Sequence, residues 1–396
     1  MSVLTKNLNK PVLLSKSIFL VVYAAASVLL PFLALYYEQI GLTGAQMGLL
    51  AGIPPIMTMI GASVWSGLAD ATQRHKLVFM LVISGATVSV MIIPATASFL
   101  AISLVIALHA FCFMSLLPLI DNSALAILGN QTEKYGQIRL WGSIGWGIGA
   151  PLIGPLVAWF GLNWTFYGHA ALMLAGLLIA LRLPVAQSSS SSGFGQGLGQ
   201  LLRDQRWYLF LLIIFVAGFG DAIIRNFSFL YLKDVGAGST LMGLSLTIGT
   251  VSELVVLFLS AFLLRRLGPQ KLMLISVATQ ALRLLGWSFI GDPYLALSLQ
   301  LLNGLAFGAL WMAGVAYARE IAPQGMAATA QGLLSGVYFG LSSAVGAMLG
   351  GIWYQQLGSA GMYRWGALVM FIGLLLYLLA NSVTIKAAPK QPVEVS

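Results

Sequence analysis

FLALYYEQIGLTGAQMGL (Phe32–Leu49) and FSFLYLKDVGAGSTLMGL (Phe227–Leu244) are the two stretches on which the fold turns. Under a shift of about 195 residues, Phe32 falls on Phe227, Leu35 on Leu230 and Tyr36 on Tyr231. Gly41, Met47, Gly48 and Leu49 fall on Gly236, Met242, Gly243 and Leu244. Chance likeness between apolar helices does not extend through a polar turn, so the chain repeats itself. Between the copies, QSSSSSGFGQGLGQ (Gln187–Gln200) has no helical period and reads as a flexible linker. The expected organisation is an N-terminal unit over 1–185, a linker over 186–206 and a C-terminal unit over 207–396.

Composition names the solvent. Charged residues make up 8% and hydrophobic residues 59% of the chain, and mean hydropathy is +0.92. A soluble domain carries roughly 25% charged residues, so lipid must face most of this surface. Spanning a bilayer takes about 20 apolar residues. Punctuation by charges, Gly and Pro predicts spans at 16–37, 44–69, 77–96, 99–127, 137–160 and 163–183. After the linker come 207–232, 240–264, 271–290, 294–318, 327–356 and 363–384. The expected fold class is an all-α membrane protein with twelve transmembrane helices in two six-helix bundles. Parallel halves of this kind place a solute site between them, near the midplane.

The basic residues orient the chain. Lys6, Lys10, Lys16, Arg74, Lys76, Lys134, Arg182, Arg203, Arg206, Arg265, Arg266, Lys271, Arg319, Lys386 and Lys390 fall on one side, against Lys233 and Arg364 on the other. The rich side is expected to be the cytoplasm, with both termini there. The net charge of +9 sits at helix ends and not on an aromatic-studded polar face, which argues against nucleic acid. The single cysteine, Cys112, leaves too few thiols for a disulfide or a thiolate metal site. No cofactor or metal is called for. No Walker phosphate loop and no nucleophile–base pair at catalytic spacing is present, so an enzyme is not expected. Gly142, Gly145 and Gly149, and Gly336 and Gly340, recur at helical spacing, which suits close helix approach.

A charge in the bilayer core is expensive unless it faces a cavity or a partner. His109, Asp121, Arg139, Asp221, Arg225, Glu253 and Arg283 therefore form the functional shortlist. Arg139, Ser143 and Trp146 share one helix face, a stripe suited to a solute with a polar edge and a flat or apolar face. Asp221 and Arg225 stand at i and i+4 and can pair. His109 is either bonded to a backbone carbonyl or a proton carrier.

Gly67-Leu68-Ala69-Asp70, followed by Arg74 and Lys76, resembles the signature loop of the major facilitator superfamily, which implies a cytoplasmic gate at Gly67, Asp70 and Arg74. PLIDNSAL (Pro118–Leu125) with YGQIRLWGSIGWGIGA (Tyr135–Ala150) resembles the phenylpropionate permease family and the related lactose permease family of sugar:proton symporters. That resemblance implies substrate contacts at Asp121, Arg139, Trp146, Glu253 (in SEL) and Arg283 (in LRLLG), joined by Ser143 from the helix face, with Asp221 matching a further family acid. It departs where the lactose permeases carry a His and a Glu on span 10 and a Lys on span 11, because Asn303, Ala306 and Gly340 stand there. Proton coupling is thus open among Glu253, Asp121, Asp221 and His109.

The expected function is proton-coupled symport of a phenylpropionate-type acid or a sugar, by a monomer in a bacterial inner membrane. A proton-coupled exporter is the alternative, on the partial pattern Gly145, Gly149, Pro151 and Gly154; a non-transporting solute sensor is another.

Overall fold

The computed structural model describes residues 2–387 apart from 97, 130, 132–133, 185–200, 202–203 and 325. Most of the expected linker lies outside the described residues. Every regular element among those described is helical. Ser2–Leu29 (α1) passes through a 3-10 turn at Pro31 into Leu33–Gln39 (α2). Gly44–Thr72 (α3) starts from a capping box, with the Thr43 hydroxyl on the Gln46 amide and the Gln46 side chain on the Thr43 amide. His75–Ile92 (α4), Phe99–Leu128 (α5), Tyr135–Phe160 (α6) and Asn163–Ala180 (α7) follow. Beyond residues 185–200 come Gln205–Asp234 (α8), Ser239–Leu267 (α9) and Pro269–Trp287 (α10). Pro293–Gln300 (α11) leads through a π-helical segment, Gly304–Gly308, into Ala309–Ile321 (α12). Ala327–Ser335 (α13) leads through a second, Gly336–Ser342, into Ser343–Ala387 (α14). That last element holds two helices meeting at Gly358 (φ 70°, ψ 179°).

The repeated stretch folds the same way twice. Gly41 (φ 81°) and Gly236 (φ 86°) both take the left-handed conformation that glycine adopts without strain. Leu42 N–H reaches the Tyr37 carbonyl as Ala237 N–H reaches that of Leu232. The next repeated pair marks the seams between the segments on either side of 185–200. A Cβ on Gly48 would lie 2.7 Å from the Ala347 carbonyl oxygen, and one on Gly243 would lie 2.6 Å from that of Ala150. Glycine at these two positions lets α3 approach α14 and α9 approach α6, and both pairs pack extensively. Gly145 and Gly149 likewise sit against the α1 backbone at Leu20 and Ala24. Gly336 differs from the sequence expectation: a Cβ there would meet nothing within 4 Å. It opens a π-helical segment and makes no close contact.

Nine helical stretches among the described residues are long and apolar enough to cross a membrane. The shorter helices α7 and α10 are not among them, diluted by Asn163 and His169 and by Gln270, Lys271, Gln280 and Arg283. The last stretch, Thr329–Asn381, includes the Gly358 break. Large apolar side chains cover the outside, with Phe258 89% and Trp159 83% exposed. A water-soluble monomer does not present such a surface.

Two apolar clusters organise the interior. One holds only residues before 185, from Ile18 to Leu183. The other joins Val28–Tyr37, Met47 and Leu50 to most of the buried apolar residues after 200. Side-chain bonds across the two segments follow the same pattern. Lys233 meets Glu38 at 2.6 Å, Ala45 N–H donates to Gln355 Oε1, and Thr247 Oγ1 donates to the Gly147 carbonyl. Phe32 and Phe229 meet edge to face. The Glu38–Lys233 and Ala45–Gln355 contacts thus bolt the two segments together at one end, while Thr247–Gly147 joins them at the middle of α6.

Because a new Cβ at Gly48 meets backbone, Gly48→Ala is expected to destabilise the protein by about 1–3 kcal/mol, seen as a lower Tm in detergent. Gly67, inside the same helix, has open space, so Gly67→Ala is expected to be neutral or to stabilise by up to about 1 kcal/mol. Equal effects of the two changes would refute the seam.

Candidate functional site

Of the shortlisted charges, Asp121 is held by an aromatic hydroxyl and Arg139 by ring faces. Asp121, on α5 three residues after the internal Pro118, accepts a hydrogen bond from the Tyr135 hydroxyl at 2.7 Å. Arg139, one turn along α6 from Tyr135, lies with its guanidinium carbon 4.4 Å from the Tyr23 ring centre and 5.8 Å from that of Phe19. Cation–π contact of this kind holds a guanidinium without consuming its donors. Arg139 interacts electrostatically with Asp121 and with Glu253 of α9, yet the ion pairs found within 4.0 Å among the described residues do not include it. Glu253 is half-buried, makes no hydrogen bond or ion pair to a described residue, and faces Gly308, where a Cβ would lie 3.3 Å from its Cγ.

A second group neighbours the first. Asp221 and Arg225 stand 3.2 Å apart on α8. Arg225 also donates to Ser343 Oγ, and the Tyr338 hydroxyl donates to Asp221. Asp221 feels both Glu253 and Arg283, so the charges form one chain from Asp121 through Arg139, Glu253 and Asp221 to Arg283.

Arg283 is 2% exposed and sits behind this surface. Its guanidinium donates to Gln300, to Asn303 Oδ1 at 2.9 Å and to Gln280. Amide oxygens thus hold a buried cation that has no carboxylate within ion-pair range among the described residues. Asn303 lies just before the first π-helical segment. There Ser252 takes over helix bonding, donating to the Leu301 carbonyl and accepting from the Gly304 amide.

The remaining shortlisted residues lie elsewhere or pack. His109 is buried with Nδ1 3.2 Å from both Ser89 Oγ and the Ala86 carbonyl, stacked on Phe113 and edge-on to His169. It belongs to the interior of α4, α5 and α7 and is not among the charges that act on the Asp121–Arg283 chain. Trp146 is partly buried against the first apolar cluster, and Ser143 is half-buried one turn from Arg139. At the end of α3, Asp70 lies 3.9 Å from His75, Gln73 donates to the Asp70 carbonyl, and Arg74 is exposed. Three tyrosines were missed from sequence. Tyr135 was readable, since it precedes Arg139 by one turn. Tyr23 and Tyr338 lie far along the chain from their partners, and no local pattern marks them.

Comparison with known proteins agrees with this architecture. The model of the MFS_1-like family matches residues 13–365. A maltose permease of Geobacillus stearothermophilus is 27% identical over 91% of this chain and 92% of its own length. A probable 3-phenylpropionic acid transporter of Escherichia coli is 26% identical over 84% and 88%. The crystal structure of the nucleoside transporter NupG superposes with a TM-score of 0.84 at 19% identity, covering 94% of this chain and 99% of that one.

Removing one member of this half-buried pair leaves the other uncompensated. Asp221→Asn and Arg225→Gln are each expected to lower Tm, and the double variant to recover part of the loss, with a coupling of about 0.5–3 kcal/mol. A double variant as unstable as the sum of the two singles would dissolve the pair.

Proposed function

The chain belongs to the MFS_1-like family of major facilitator transporters, and on that premise we propose that it is a proton-coupled symporter of one small organic solute. It is a membrane transporter, as its relatives are, and not an enzyme. In the proposed arrangement, twelve membrane helices form two six-helix bundles, 1–185 and 207–396, joined by a cytoplasmic linker at 186–206. The protein works as a monomer in a bacterial inner membrane with both termini in the cytoplasm.

One observation carries the reading. Arg139 and Glu253 come from opposite sides of the linker, stand on the packed helices α6 and α9, and keep their hydrogen-bonding groups unspent on described residues. Two opposite charges on adjoining helices, neither spent on a described partner, can be bridged by a polar solute. Asp121, held by Tyr135, and Ser143 and Trp146 complete the binding surface. Arg283, behind Asn303 and Gln300, sets the field and orients those amides. The bolts at Glu38–Lys233 and Ala45–Gln355 support a conformation closed at that end, with the Asp70–Arg74 end open as a cytoplasmic gate. Rocking about the site then gives alternating access.

Sugar and phenylpropionate-type acids are the substrate classes in view, supported by the relatives named for maltose and 3-phenylpropionic acid. Glu253, Asp121 and Asp221 are the proton-coupling groups in this reading; His109, walled in by Ser89, Ala86 and Phe113, is left a packing role.

A hydrogen bond to a charged group contributes about 1.5–3 kcal/mol, and 1.4 kcal/mol is tenfold. Arg139→Gln and Glu253→Gln are therefore each expected to slow uptake at least about tenfold, measured by counterflow of labelled maltose, 3-phenylpropionate and a nucleoside in proteoliposomes. Wild-type rates in both variants would refute the site. An imposed inward proton gradient is expected to drive accumulation of the transported solute, and accumulation indifferent to a protonophore would refute the coupling.

A further inference from the structure

The two π-helical segments face one another through aromatic rings. Phe307 of the first, with Trp311 one turn on, meets Tyr338 and Phe339 of the second. Phe307 lies 6.1 Å from Tyr338 and 6.5 Å from Phe339 between ring centres. Trp311 lies 5.9 Å from Tyr338 and 5.0 Å from Phe339. A π turn widens the helix and turns the residues after it, and such turns cluster at functional sites.

The four rings are not equivalent. Tyr338 is 1% exposed and spends its hydroxyl on Asp221, so it ties the cluster to the charged chain. Phe339 is 36% exposed, and Phe307 and Trp311 are half-buried. The Arg225 guanidinium lies 5.7 Å from the Phe339 ring centre and pairs with Asp221. The first segment also abuts the unspent acid, since Gly308, next to Phe307, packs on the Glu253 side chain. An apolar ring is thus left uncovered beside an ion pair and within the same wall as a free carboxylate.

We propose that Phe307, Trp311 and Phe339 form an aromatic subsite that takes the flat ring of the solute while Glu253 and Arg139 hold its polar edge. The proposal rests on the transport reading and deepens it: the solute is one with a planar or aryl group next to its hydrogen-bonding part. Ring stacking adds affinity beyond area burial, by a few-fold to about tenfold, and relieves the exposure of Phe339. Because π-electron faces accept many rings, these residues set preference for a ring and leave the identity of the polar edge to Glu253, Arg139 and Asp121.

The experiment compares matched probes that differ only by the ring. Binding to purified protein is measured for phenyl α-glucoside against methyl α-glucoside, and for 3-phenylpropionate against butanoate. The wild type is expected to bind the aryl member of at least one pair roughly five- to tenfold more tightly. Phe339→Leu and Trp311→Leu are expected to cut that preference to twofold or less, while affinity for the alkyl member stays within about threefold. That retained affinity shows the variants fold. Phe307→Leu is a third variant with the same expected loss. Equal affinity for both members of both pairs, absence of saturable aryl binding, or a ring preference that survives all three variants would overturn the subsite. Counterflow with the wild type reads the transport function separately, so a protein that transports yet ignores the ring refutes the subsite alone.

Discussion

An ionised side chain in the interior of an apolar helix bundle costs several kcal/mol unless a partner or water reaches it. Asp121, Arg139, Asp221, Arg225, Glu253 and Arg283 all carry that cost, and much of the local structure answers it. Tyr135 holds Asp121, Tyr23 and Phe19 hold Arg139, Arg225 and Tyr338 hold Asp221, and three amides hold Arg283. Glu253 has no such partner among the described residues. Its side chain packs against Gly308, at the end of the first π-helical segment.

The means of compensation differ from direct ion pairing between the segments. Replacing direct carboxylate–guanidinium bridges with hydroxyls, amides and ring faces keeps each charge in place without locking helices from opposite segments together. The direct bridge between segments, Glu38–Lys233, lies instead at the bolted end and near the surface. A surface pair contributes little to stability. The glycine seams do the closer work there, since Gly48 against Ala347 and Gly243 against Ala150 bring backbones into contact over a broad apolar zone.

Distortion of the helices is concentrated where the resemblance to lactose permeases fails. Asn303, Ala306 and Gly340 lie in or next to the two π-helical segments. Where those relatives place titratable side chains, this chain places widened backbone, an amide that holds Arg283, and a wall of rings. Arg225, one turn from Asp221, serves as the ionic partner that a span 11 lysine supplies elsewhere. The charge relations are therefore kept while their carriers have moved.

The sequence by itself determined the membrane solvent, the repeat, the set of charges within the spans and one local pairing within a helix, Asp221–Arg225. All of these are consequences of composition or of spacing within about one turn, which a linear chain records directly. Tertiary structure alone decided that Tyr23 meets Arg139, that Arg283 is buried against Asn303 and Gln300, that His109 packs between α4, α5 and α7, and that Gly336 opens a π turn with open space where a Cβ would stand. Helical period gives the face on which a residue lies and its depth, but not which distant helix that face meets. Nor does it reveal an extra residue in a turn, which rotates every side chain after it. Those relations are set by how the helices pack, and so they become visible only once the chain is folded.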